Sequence, residues 1–164
     1  MMLTMAAALQ MAGSLNPRSG WEADHCSIAQ TLEVLNTKSA FLILREAFYG
    51  TTRFDDFTQR VRLSPAVAAA RLQELVRRGL LAREEYQVPG QRTRRGYRLT
   101  PSGADLFPAL AALMRWGDRW LGEDGGPVML RHRGCGKQVD VHLLCRAGHD
   151  LTLEDLELAP TGRR

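Results

Sequence analysis

The stretch SPAVAAARLQELVRRGLL, residues 64–81, constrains the fold more than any other part of this 164-residue chain. Serine followed by proline is a strong helix start. Ser64 is placed to cap the free amides, and Pro65 falls at the first helical position, where its missing N–H costs nothing. The helix should run to the glycine at 79 and hand over to an extended segment. Ala68, Leu72, Leu75 and Val76 share one stripe at helical spacing, so that side is core. Ala66, Val67, Ala70, Arg71 and Glu74 point the other way, a face of small residues with one long cation. Small side chains let a helix backbone approach a partner closely. The stretch alone leaves that partner open among protein, lipid and nucleic acid.

The flanking segments narrow the choice. Upstream, CSIAQTLEVL (26–35) carries Ile28, Leu32 and Leu35 in helical register, and KSAFLILREAFYG (38–50) predicts a buried helix ending at Gly50. In TTRFDDFTQRV, Arg53-Phe54 reads as a brief extended piece, with Asp55 capping a short helix from Asp56 to Val61. RLSP is then a tight turn, and two helices joined so closely form a helix-turn-helix whose second member is the recognition element. Downstream, LLAREEYQV and RGYRLT are extended runs around PGQRTR, a hairpin whose tip carries Arg92, Arg94 and Arg95. Helix-turn-helix followed directly by a basic hairpin is the order of a winged helix. The fold expected is mainly α with a small β-hairpin wing, and the Ala66, Val67, Ala70 and Arg71 face is then shaped for a DNA major groove.

Charge supports a polyanionic partner. Residues 53–98 hold eleven arginines against five acids, a net of +6, on a chain whose overall charge is +4. Twenty of the twenty-two cations in the chain are arginine, so a codon bias is the competing account. The apolar fraction of 45% and charged fraction of 24% suit a soluble globular domain. Three cysteines lack the density of a secreted disulfide scaffold, and no apolar run reaches about 18 residues, so a reducing cytoplasm without membrane attachment is expected.

From Thr100-Pro101 a further helix, SGADLFPALAALMRWGDRWLG, is expected, loosened in its first turns by Pro108. Leu106, Leu110, Leu113, Trp116 and Trp120 recur along it as an apolar stripe, and self-association into a homodimer is the economical use of such a stripe. Packing on the domain's own helices is the alternative. Residues 1–25 read as an N-terminal arm, 26–121 as the winged-helix and dimerisation domain, and 122–164 as an appendage of short strands around glycine turns. In the appendage His132, Cys135, Cys145 and His149 have the pairwise spacing of a degenerate zinc ribbon, the one cofactor the chain suggests. An appended hairpin with incidental cysteines fits equally. No nucleophile, acid–base or phosphate-loop constellation has catalytic spacing, so no enzyme is expected. A winged helix that docks proteins rather than DNA is the alternative function.

The segment Cys26–Glu46, then RFDDF, LSPAVAAARLQELVRRGLLAREEY and YRLTPSGADL, resembles in unbroken order the HxlR family of bacterial winged-helix regulators. The resemblance, from about Cys26 to Leu121, implies a homodimer that binds a palindromic operator and represses or activates nearby genes. It implies groove contact by Arg71, backbone contact at Arg53, and redox sensing at an N-terminal cysteine that matches Cys26. Ser64 and Pro65, at the start of the recognition helix, are placed at the DNA by position, Ser64 donating to a phosphate while it caps. A small-molecule effector is a further expected partner. Two departures stand out. Lys38-Ser39-Ala40 lacks the tryptophan that usually follows the lysine, and Ala66, Ala69 and Ala70 replace much of the recognition helix's usual polarity.

Overall fold

The computed structural model describes residues 8–16, 26–86, 94–122 and 125–161, with the side chains of Tyr86 and Arg94 outside the description. Six α-helices are described: α1 (Ser27–Val34), α2 (Lys38–Phe48), α3 (Phe54–Val61), α4 (Pro65–Arg77), α5 (Pro101–Ala104) and α6 (Phe107–Trp120). The strands are β1 (Gln10–Met11), β2 (Leu81–Tyr86), β3 (Arg94–Leu99), β4 (Leu143–Leu144), β5 (Asp150–Leu151) and β6 (Glu157–Leu158). The chain divides into two compact units, one spanning Ser27–Leu130 and one in which the N-terminal residues join Arg131–Arg164.

In the first unit the helices close on an apolar centre made by Ile43, Leu44, Phe57, Leu72, Leu75 and Leu81, each with under 2% of its surface exposed. Every such side chain taken out of water contributes roughly 1.5–3 kcal/mol. Phe57 anchors α3 and meets the Tyr97 ring edge-on at 6.1 Å, which ties the short helix to β3. The two strands pair antiparallel in the register Leu81↔Leu99 to Tyr86↔Arg94, so the predicted hairpin is present. Arg53 bridges to Gly96, and the Tyr97 N–H donates to the Thr52 carbonyl at 2.8 Å, so the entry to α3 extends the hairpin sheet. Arg53 is therefore extended as the sequence predicts. Phe54 is not: α3 begins there, Arg53 stands at the cap position, and Asp55 and Asp56 lie in the first turn instead of capping it. Both carboxylates still suit the positive end of the helix dipole.

α4 matches its sequence signals closely. Ser64 Oγ accepts from the Val67 N–H at 3.4 Å, and Pro65 opens the helix. At the far end Gly79 takes φ +75° while the Leu80 N–H donates to the Leu75 carbonyl at 2.9 Å and the Gly79 N–H to Val76 at 3.0 Å, the Schellman closure that turns the chain into β2. α3 ends by the same closure, the Leu63 N–H donating to Thr58 at 3.1 Å, but its left-handed position is held by Arg62 at φ +55°. Arg62 is the sole non-glycine with positive φ among the described residues, at a backbone cost on the order of 1 kcal/mol.

The helix expected from residue 101 onward is two helices. Thr100 accepts from the Gly103 N–H at 3.0 Å and starts α5, the chain turns at Asp105-Leu106, and Pro108 sits in the first turn of α6. The proline begins a new helix instead of loosening an old one, because the N–H it lacks is unneeded there. No described helix is long and apolar enough to cross a membrane.

The second unit is made of minimal elements. β4 and β5 pair antiparallel, Arg131 bridges Gln138, and β1 lies parallel to β6 with Gln10↔Glu157 and Met11↔Leu158. The alternating tail is thus made of short strands around turns, as its sequence suggests. The described part of the N-terminal arm, expected as a frayed segment or short helix, supplies strand β1 to that tail and then a single 3-10 turn over Gly13–Leu15. Residues 125–130, assigned by sequence to the appendage, belong with the helical unit.

Candidate nucleic-acid interface

Helical geometry sets what α4 presents. Ala68, Leu72 and Leu75 are fully buried, which turns Ala66, Ala69 and Ala70 outward, together with Val67 at 44% exposure. The outward face is thus a short-side-chain surface with one exposed branched methyl pair, suited to close approach and to contact with thymine methyl groups. Arg71 is half-buried at the flank of this face, a 100° step round from Ala70. Among the described residues Arg71 has no ion-pair or hydrogen-bond partner. By spacing Arg71 could equally pair with Glu74 or with an acid on the preceding helix, but Glu74 accepts from Arg77 at 2.6 Å and from Arg78 at 2.9 Å. Those two guanidiniums, Arg77 first, hold the Glu74 carboxyl below its ordinary value of 4.5. They also spend their own charge locally, which leaves Arg71 as the free cation of the helix.

Gln73, one turn beyond Ala69 and Ala70, is exposed on the same face. Sequence reasoning missed it, although its spacing of seven from Ala66 carries the signal. A glutamine there has the paired donor and acceptor that match adenine in the major groove.

The wing is less positive than its arginine count. Arg95 Nε lies 3.8 Å from Glu85 Oε1, and Arg98 Nε lies 3.8 Å from Glu84 Oε1, all four side chains being more than half exposed. Such pairs are weak and are readily exchanged for phosphate. Arg92 and the side chain of Arg94 lie outside the described residues. Arg53 is exposed at the start of α3, where the bridge to Gly96 places it beside the wing. Arg53 stands at the cap position of α3, and Ser64, Pro65, Ala66, Val67, Ala70 and Arg71 lie at the cap and along α4.

The apolar stripe on α6 is split by the fold. Leu106 and Leu110 pack against the domain's own core, so they do not form part of an open surface. Leu113 and Trp116 are each 56% exposed and Trp120 is 63% exposed. On α1, Ile28 and Leu32 are also exposed. Cys26, half-buried, immediately precedes α1.

The appendage brings the four metal-type residues together only in pairs. His132 Nδ1 is 3.2 Å from Cys135 Sγ, and His149 Nδ1 is 3.5 Å from Cys145 Sγ. Among the described residues no three His, Cys, Asp or Glu side chains converge as a metal site requires. His142 instead meets the Asp150 carboxylate at 3.0 Å.

A short helix, a tight turn, a capped helix with a small-residue outer face and an antiparallel hairpin define a winged helix-turn-helix protein. Comparison with known proteins specifies the family: residues 34–125 match the HxlR-like helix-turn-helix model, and this chain belongs to that family. An uncharacterised HTH-type transcriptional regulator of Mycobacterium tuberculosis is 37% identical over 136 residues, covering 82% of this chain and 85% of the relative. The crystal structure of PA1607, a candidate transcription factor, superposes with a TM-score of 0.73 at 33% identity, covering 82% of this chain and 94% of the other. PA1374 from Pseudomonas aeruginosa, likewise a candidate transcription factor, gives 0.60 at 31% identity, with 85% and 95% covered. The chain is a transcriptional regulator with a helix-turn-helix DNA-binding domain, and not an enzyme.

Proposed function

We propose that two copies of this protein associate through α1 and α6 and together bind a palindromic operator, each inserting α4 into the major groove. The reading is carried by one observation: the guanidinium of Arg71, without a partner among the described residues, flanks an exposed alanine face. Ser64, Pro65 and Ala66 lead α4 into the groove, Val67 and Ala70 meet base-edge methyls, and Arg71 makes a paired contact to guanine. Arg53 and the wing arginines Arg92, Arg94 and Arg95 hold phosphates or the flanking minor groove.

Dimerisation is supported by the exposed Leu113, Trp116 and Trp120 on α6 and by Ile28 and Leu32 on α1, which together leave a large apolar area in water. Two-fold pairing then sets half-sites one helical turn apart, about 34–36 Å. The protein acts in the cytoplasm, and Cys26 gives it an oxidant input. That input is supported by similarity to HypR, a redox regulator whose reduced form superposes with a TM-score of 0.50 at 25% identity, covering 55% of this chain and 88% of that one.

The test is retention and sequencing of genomic fragments on the purified protein, with and without a mild oxidant, alongside its mass in solution. A dimeric mass and an enriched inverted repeat are expected. A Trp116→Glu variant should be monomeric and bind the repeat far more weakly. A monomeric parent, or fragments without two-fold symmetry, would contradict the reading.

A further inference from the structure

An open groove between the start of α2 and the end of α3 has a volume of about 650 Å³, within the range of small-molecule sites. Four cations line it: Lys38 and Arg45 from α2, Arg60 from α3, and Arg62 from the turn. Its apolar wall is Leu42, Val61 and Leu63. Ser39 also lines it.

The charge balance of this groove is unusual. Glu46, 6% exposed, is the carboxylate in contact with these cations. It accepts from Arg45 at 2.7 Å, lies 3.9 Å from Arg60, and accepts from Thr51 Oγ1 at 3.3 Å. Arg60 also donates to Thr51 at 2.9 Å. One buried carboxylate therefore orients two guanidiniums and leaves an excess of three positive charges. Lys38 and Arg62 have no partner among the described residues. At the first turn of α2, Thr37 caps the Ala40 N–H, while among the described residues nothing accepts from the Lys38 and Ser39 N–H groups, which add to the positive potential. The turn also holds Arg62 in a left-handed conformation that glycine adopts more freely, so this cation stands on the groove at a backbone cost.

We propose that this cavity is a binding site for a small organic anion, a carboxylate or phosphate carried on an apolar body. The acidic group sits among Lys38, Arg62 and the α2 amides, and the apolar body lies on Leu42, Val61 and Leu63. A duplex backbone is the poorer fit, because these cations line a concavity with an apolar wall instead of standing out from a convex surface. Arg62 and Leu63 are the turn of the helix-turn-helix, directly before the Ser64 cap, so occupancy bears on the entry of α4. That regulatory consequence rests on the DNA-binding reading above; the binding site does not.

The probe is 2-naphthoate, titrated calorimetrically into the full-length protein, with the neutral 2-naphthamide as its counterpart. For a ligand of this size a Kd of about 0.1–1 mM is expected. The amide should bind at least about tenfold more weakly, as charge-assisted contacts are lost. Lys38→Gln/Arg62→Gly removes the two unpartnered cations without touching the Glu46 cluster, so the variant should melt within a few degrees of the parent. It should weaken naphthoate about tenfold or more. No binding by about 5 mM, equal affinity for acid and amide, or an unaltered double variant would each overturn the site. The same variant is titrated with an unrelated duplex across salt. A slope of log K against log salt within about half a unit of the parent supports the assignment. A fall of about two units would make Lys38 and Arg62 phosphate contacts and overturn it. If the parent binds no duplex at all, the DNA reading fails while the naphthoate result still decides the site.

Discussion

Replacing Gly103 by alanine places a methyl group against backbone that has no room to move. A Cβ on Gly103 overlaps the Leu80 carbonyl oxygen and lies 3.0 Å from the Leu80 carbonyl carbon and 3.3 Å from its Cα. Relief requires α5 to retreat from the α4–β2 junction by about 1 Å to restore ordinary carbon contacts. That movement strains the bonds that dock α5: Thr100 N–H to the Leu80 carbonyl at 3.1 Å, and Thr100 Oγ1 to the Gly79 carbonyl at 2.6 Å. Overpacking costs roughly 1–3 kcal/mol and two weakened bonds about 1–2 kcal/mol more, against about 1 kcal/mol regained in helix propensity. The net destabilisation is about 1–4 kcal/mol, which lowers the melting temperature of a unit this size by roughly 4–30 °C. Thermal denaturation followed by circular dichroism reads it directly. Gly117→Ala in α6 is the companion, since a Cβ there meets nothing within 4 Å; it should be neutral or stabilise by up to about 1 kcal/mol. A Gly103→Ala midpoint within about 2 °C of the parent would refute the packing argument.

Two further outcomes follow from the same contacts. Ser64→Ala removes the α4 cap and should cost about 0.5–1 kcal/mol, read as a lower urea midpoint with an unchanged slope, whereas Ser64→Asp should retain most of the stability. The carboxyl of Glu74 has a folded pKa below 4.5, so its stabilising contribution is complete above that value and fades as pH falls through the lowered one. Melting curves of parent and Glu74→Gln should therefore differ at neutral pH and converge in acid as the lowered carboxyl is protonated. A gap that stays constant into acid would show that Arg77 and Arg78 do not act on Glu74.

The parts of the fold that local chemistry dictates were legible in the sequence. Ser64-Pro65 and Gly79 delimit α4 because capping and the left-handed turn are properties of a few adjacent residues, and the buried set Ala68, Leu72 and Leu75 follows from helical period alone. The division between α5 and α6 was not legible, since the apolar period from Leu106 to Trp120 continues across the turn and Pro108 is compatible with either a kink or a start. For the same reason the stripe could not be sorted into Leu106 and Leu110, which face the core, and Leu113, Trp116 and Trp120, which do not. The choice of Arg77 and Arg78 over Arg71 by Glu74 was ambiguous by spacing. It follows the rule that an acid placed N-terminal to its base pairs better on a helix. The pairing of Gln10 with Glu157 joins opposite ends of the chain, and nothing in either segment announces it. The groove around Lys38 and Arg62 escaped notice because its four cations come from three separate elements.

Affinity of the parent and of Arg71→Ala for an operator duplex and for an unrelated duplex, followed across salt concentration, bears most directly on the role of α4. The parent should bind both, with log K falling linearly in log salt, and the operator more tightly. Arg71→Ala should lose about 5–150-fold on the operator and change little on the unrelated duplex. Equal losses on the two, or no attraction of the parent for any duplex in dilute buffer, would contradict a base-reading Arg71 on an open recognition helix.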